Sequence, residues 1–98
     1  MSSPIARILH FTFETAEDLN LWVMKYETET SELAKEAIQR TLIKTDETSL
    51  VICNIYRNEE DADNVFERLS KWHGTVKAAR TWESFNLTGE VVFSEPKY

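Results

Sequence analysis

Two histidines, a lone cysteine and two polar residues on an apolar segment carry most of the chemistry open to this chain. His10 lies on the more polar side of an alternating run, beside Thr12, where an imidazole could take a proton from a phenolic or enolic ligand near neutral pH. The plainer alternative is a half-buried histidine satisfied by a backbone carbonyl. His73 stands between Trp72 and Gly74 at an expected helix end, where a cation meets unpaired carbonyls, so capping is its expected role. Asn54 and Tyr56 share one side of the run Leu50-Val51-Ile52-Cys53-Asn54-Ile55-Tyr56. A polar group on such a strand needs a partner, which would be a ligand or a group across a dimer contact.

Other chemistries lack their residues. Neither His-x-x-x-His nor Cys-x-x-Cys occurs, so no metal site is expected. The only glycines, Gly74 and Gly89, make no phosphate-binding loop, and no cofactor is expected. Trp22, Trp72 and Trp82, with Tyr26, Tyr56, Phe66 and Phe85, could line a pocket for a flat apolar ligand. Trp22 and Trp72 also continue helical stripes with Leu19 and Leu69, which is the pattern of core packing. The candidate site is therefore His10 as proton acceptor, with Asn54, Tyr56 and Trp82 as ligand contacts.

These residues must be positioned by six elements. Residues 5–13 alternate, with Leu9, Phe11 and Phe13 on one side, and predict a first strand. Thr15 opens a helix with Glu17 and Asp18 in its first turn and the stripe Leu19, Trp22, Val23 and Tyr26. Fresh caps at Thr28 to Ser31 predict a short helical piece over 32–36. Residues 38–45 carry Arg40 and Lys44 and suit an edge strand, followed by a turn at Asp46-Glu47-Thr48 and a third strand over 49–57 that is apolar on both sides. Asn58, three acids, the stripe Ala62, Val65, Phe66, Leu69 and Trp72, and Gly74 define a second helix. Residues 80–88 predict a fourth strand, with a bend at Gly89 and a short fifth strand at Val91-Val92-Phe93.

At 98 residues, 42% apolar and 29% charged, the chain fits one folded domain over 1–98. A net charge of -6 without a basic patch disfavours nucleic acid and anionic membrane surfaces. A cysteine count of one and an amino terminus without a secretory pattern place the expectation in the cytoplasm.

The strand-helix-strand-strand-helix-strand order predicts an α+β, ferredoxin-like βαββαβ fold, a four-stranded antiparallel sheet with two main helices on one face. Strands apolar on both sides belong in the middle of the sheet. The opposite face, carrying one set of third-strand side chains plus Trp82 or Phe85, would stay uncovered unless a second copy packs on it. In this order, and in the passages Thr48 to Tyr56 and Asn58-Glu59-Glu60-Asp61-Ala62, the chain resembles the dimeric α+β barrel superfamily. That superfamily includes antibiotic-biosynthesis monooxygenase-like proteins and small members from marine bacteria. The resemblance implies a homodimeric barrel and a cofactor-independent, monooxygenase-like or small-molecule-binding protein with a pocket using His10, Asn54 and Tyr56 for a small apolar or aromatic ligand. The alternative is a non-enzymatic dimeric structural, regulatory or stress-related binding module.

Overall fold

The computed structural model describes residues 3–76 and 81–96, with side chains except at 81–84. The elements run β1 (Ile5–Phe13), α1 (Ala16–Glu29), β2 (Ala37–Asp46), β3 (Ser49–Tyr56), α2 (Glu59–His73) and β4 (Thr81–Glu90). The strands form one antiparallel sheet in the order β2-β3-β1-β4. The two strands that are apolar on both sides, β1 and β3, take the centre, and the charged β2 takes an edge, as their sequences require.

Both helices begin where the caps place them. Thr15 Oγ1 accepts from the Asp18 amide at 3.1 Å, and Asn58 Oδ1 accepts from the Asp61 amide at 2.8 Å. Acids fill the first turn of α2, and Lys71 stands in its last, matching the helix dipole at both ends. Asn58→Ala should cost about 1 kcal/mol by stranding the first-turn amide. An unchanged denaturation midpoint would show that another group caps α2.

The alternation along β3 decides what each sheet face does. Leu50, Ile52, Asn54 and Tyr56 are buried beneath the helices, whereas Val51, Cys53 and Ile55 are half-buried on the other side. Under the helices, Leu9, Phe13, Leu50 and Ile52 meet Leu19, Trp22 and Tyr26 of α1 and Trp72 of α2. Beside them, Tyr56, Ala62 and Val65 pack with Ala34. Both helices thus lie on one face of a ferredoxin-like α+β fold.

Three local expectations change. Residues 31–36 form turns rather than a helix. A piece that short cannot repay helix nucleation. Its polar groups are met from α2 instead, where Arg68 Nη1 donates to the Leu33 carbonyl at 3.2 Å and to the Glu36 carboxylate at 2.7 Å. Gly89 continues β4 opposite Ala6 instead of bending it. Residues 91–93 add no fifth strand. The Val91 amide still donates to the Pro4 carbonyl at 2.8 Å, but proline has no N–H to return and the ladder ends there.

The bond from Arg68 holds the Glu36 carboxyl below its ordinary range. The unfolded chain therefore takes up this proton more readily than the folded one, and the contribution present at neutral pH is lost as the pH falls. Glu36→Gln should flatten the loss of stability on acidification. Parallel acid titrations of the two proteins check this, and identical profiles would exclude Glu36 as a contributor.

Candidate functional site

Between the sheet and the helices lies a cavity of about 270 Å³. The alternating β1 and β3 residues Leu9, Phe11 and Ile52 form its apolar floor, and the helix stripes supply Trp22, Tyr26 and Trp72. The aromatic side is held by ring contacts. Trp22 stacks on Tyr26 with centroids 4.8 Å apart and meets Trp72 edge-on at 5.5 Å. Trp72 Nε1 donates to Glu29 Oε1 at 3.1 Å, so the tryptophan of α2 is tied to the end of α1.

Polar groups sit at two places on this lining. At one, Trp22 Nε1 donates to Nδ1 of His73 at 2.9 Å, and the His73 ring stacks on Phe11 at 5.6 Å. Because indole nitrogen only donates, Nδ1 must be the acceptor and the neutral ring carries its proton on Nε2. At the other, Asn54 Nδ2 donates to the Tyr56 hydroxyl at 3.2 Å. Burial pushes the Tyr56 phenol above its ordinary range, a shift that the bond from Asn54 opposes, so it stays un-ionised at neutral pH. Asn54 Oδ1, Tyr26 Oη and Arg7 Nε are buried with no hydrogen-bond partner among the described residues.

Arg7 enters through sheet register. It pairs across the sheet with Asn54, which pairs in turn with Arg40, so two guanidinium side chains flank one buried amide. Arg7 forms an ion pair with Asp63 and donates from Nη1 to the Ala62 carbonyl at 3.3 Å. Arg40 donates to Thr30 Oγ1 at 2.6 Å and lies 4.5 Å from the centroid of the Tyr26 ring.

The structure brings Asn54 and Tyr56 together and places them on the cavity wall. It does not bring His10 to them. His10 pairs across the sheet with Val51 and Phe85, on the face without helices, and its ring stacks on Phe85 at 5.3 Å. Since neighbouring residues on a strand point to opposite faces, a β1 residue facing the cavity must be odd-numbered. The backbone of Trp82 pairs with Thr12, while its side chain lies outside the described residues. Arg7 and His73 line the cavity and were missed as site residues. Arg7 was readable from its phase with Leu9 and Phe11. For His73 no sequence signal separates capping from facing a cavity.

No helix among the described residues is long and apolar enough to cross a membrane. No family model and no curated protein sequence matches the chain. Solved structures do match. A dimeric ferredoxin-like protein from an uncultured marine organism superposes with a TM-score of 0.67 at 17% identity, over 95% of this chain and 91% of that one. SnoaB, a cofactor-independent oxygenase from Streptomyces nogalater, gives 0.70 at 11% identity, over 98% and 100%. The monooxygenase ActVA-Orf6 of Streptomyces coelicolor, solved with nanaomycin D, gives 0.72 at 10% identity, over 94% and 90%. The chain thus has the ferredoxin-like fold that these dimeric and monooxygenase-like proteins share.

Proposed function

We propose that this chain binds a flat aromatic small molecule in the cavity between its sheet and its helices and oxygenates it, as its fold neighbours SnoaB and ActVA-Orf6 suggest, without a cofactor, as the description of SnoaB suggests. The observation that carries the reading is the lining: rings of both helices over an apolar floor, with Asn54 and Tyr56 at one place and the Trp22–His73 pair at another. Apolar walls with a few convergent polar groups are the usual build of a small-molecule site. His73, rather than His10, is the histidine on the cavity wall, and with Nδ1 accepting from Trp22 it serves there as a hydrogen-bond donor and not as the proton acceptor expected of His10. A dihydroxynaphthalene is a suitable probe. Saturable binding followed by consumption of oxygen supports the enzyme, and binding without oxygen uptake supports a binding protein. No binding at millimolar probe would refute both.

A second reading has its own observation. On the helix-free face Ile43, Phe85 and Leu87 are 49%, 40% and 57% exposed beside Val51, Cys53 and Ile55. Such a contiguous apolar surface calls for cover, and a second copy of the same face is the simplest cover available. The likeness to a dimeric ferredoxin-like protein supports pairing with a second copy. In that assembly His10, whose Nδ1 has no partner among the described residues, belongs to the contact between subunits. A dimeric module without catalysis would keep this contact and show no turnover. His10→Phe should accordingly leave probe affinity unchanged and alter only the dimer. A large loss of probe binding would return His10 to the ligand site.

A further inference from the structure

We infer that the Arg7–Asn54 end of the cavity selects an un-ionised hydroxyl group on the aromatic ligand over an anionic oxygen; this rests on the proposal that the cavity holds such a ligand. Asn54 is 2% exposed, and its Nδ2 is already used on Tyr56, which leaves Oδ1 as a buried acceptor without a donor. Arg7 has both terminal nitrogens engaged on α2, by Asp63 and by the Ala62 carbonyl, which leaves Nε as a buried donor without an acceptor. Cross-strand pairing sets the two residues opposite each other, and both line the cavity.

One acceptor beside one donor is satisfied by a single oxygen that carries its own proton. A ligand hydroxyl accepts from Arg7 Nε and donates to Asn54 Oδ1. A carboxylate or phenolate satisfies Arg7 but turns a lone pair toward Oδ1, which then stays unpaired in a buried place. The Arg7 charge that would favour an anion is already opposed by Asp63, and Arg40, on the other side of Asn54, lines a separate pocket beside Tyr26 and Leu42. Tyr26 Oη, also without a partner among the described residues, and the un-ionised Tyr56 hydroxyl can each turn a proton toward either form of the ligand and therefore do not decide between them, whereas Asn54 Oδ1 can only accept.

The test is calorimetric titration of the wild-type protein with naphthol, naphthalene and naphthoate at neutral pH, where the phenol is un-ionised and the acid ionised. Naphthol should bind about tenfold more tightly than naphthalene, the net of two hydrogen bonds. Naphthoate should bind at least about tenfold more weakly than naphthol. In Asn54→Leu, checked for folding by circular dichroism, the advantage of naphthol over naphthalene should fall to about threefold or less, because only the bond from Arg7 Nε is left. Naphthoate equal to or tighter than naphthol, or naphthol no better than naphthalene, would overturn the inference while leaving the cavity as an aromatic site. A naphthol preference that stays at about tenfold in folded Asn54→Leu would overturn it as well. Failure of all three ligands to bind would remove the inference together with the proposed function.

Discussion

Trp22→Ala should lower the stability of the protein by about 3–5 kcal/mol, a large share of the roughly 5–15 kcal/mol that holds an ordinary domain together. Trp22 is 2% exposed and touches two elements besides its own, β1 and α2. Its ring lies 5.8 Å from Phe13 and 6.0 Å from Phe11 on β1, 5.5 Å from Trp72 on α2, and 4.8 Å from Tyr26 one helical turn along. Truncation removes all of these contacts at once and leaves a void beside an existing cavity, so little can collapse to fill it. Trp22→Phe separates packing from hydrogen bonding: it keeps most of the ring and removes the N–H that Nδ1 of His73 accepts, at a cost of about 1–3 kcal/mol. Denaturant titrations measure both, with the midpoint moving and the slope held. A loss below about 1 kcal/mol for Trp22→Ala would show that α1 is fixed to the sheet by something other than this tryptophan.

The same tryptophan shows how far the sequence could be read. Its phase with Leu19 and Tyr26 announced a buried helix stripe, and its burial follows from that periodicity alone. Strand order was legible for a related reason. Apolar residues on both sides of β1 and β3 leave no choice but the sheet centre, and Arg40 with Lys44 marks β2 as an edge. The candidate site was legible only in part. Asn54 and Tyr56 share a phase with Leu50 and Ile52, so their joint burial was implicit once the helix-covered side of β3 was known. His10 and Asn54 lie on different strands, and whether they share a face depends on register, which the residues of one strand do not encode. In the observed register Asn54 faces Arg7 instead, and His10 faces Val51. His73 belonged to the cavity for a third reason: the place of a helix end over the sheet is set by packing of α2 on α1, through Trp72 and Trp22, rather than by anything local to Trp72-His73-Gly74.

Register also sorts two neighbouring isoleucines into different fates. Ile55→Asp should give a folded monomer, while Ile52→Asp should give an unfolded chain. Ile52 is 4% exposed in the core with Leu9, Trp22 and Leu50, where a carboxylate finds neither water nor a counter-charge. Ile55 lies on the helix-free face between Ala6 and Gln39, half-buried in the single chain, where an aspartate remains hydrated until a second copy covers it. Burial of several hundred Å² of apolar surface on each subunit, at roughly 25 cal/mol per Å², favours pairing by several kcal/mol after the loss of rigid-body freedom. An unpaired carboxylate in that contact costs at least about 3 kcal/mol, which weakens the dimer by more than about a hundredfold. Sedimentation at micromolar concentration should therefore show a wild-type dimer and an Ile55→Asp monomer with an unchanged circular dichroism spectrum. Because the cavity lies between the sheet and the helices of one chain, the monomer should still bind naphthol. A wild-type monomer would refute the paired faces, and loss of naphthol binding in a folded Ile55→Asp monomer would mean that the partner subunit helps to shape the ligand site.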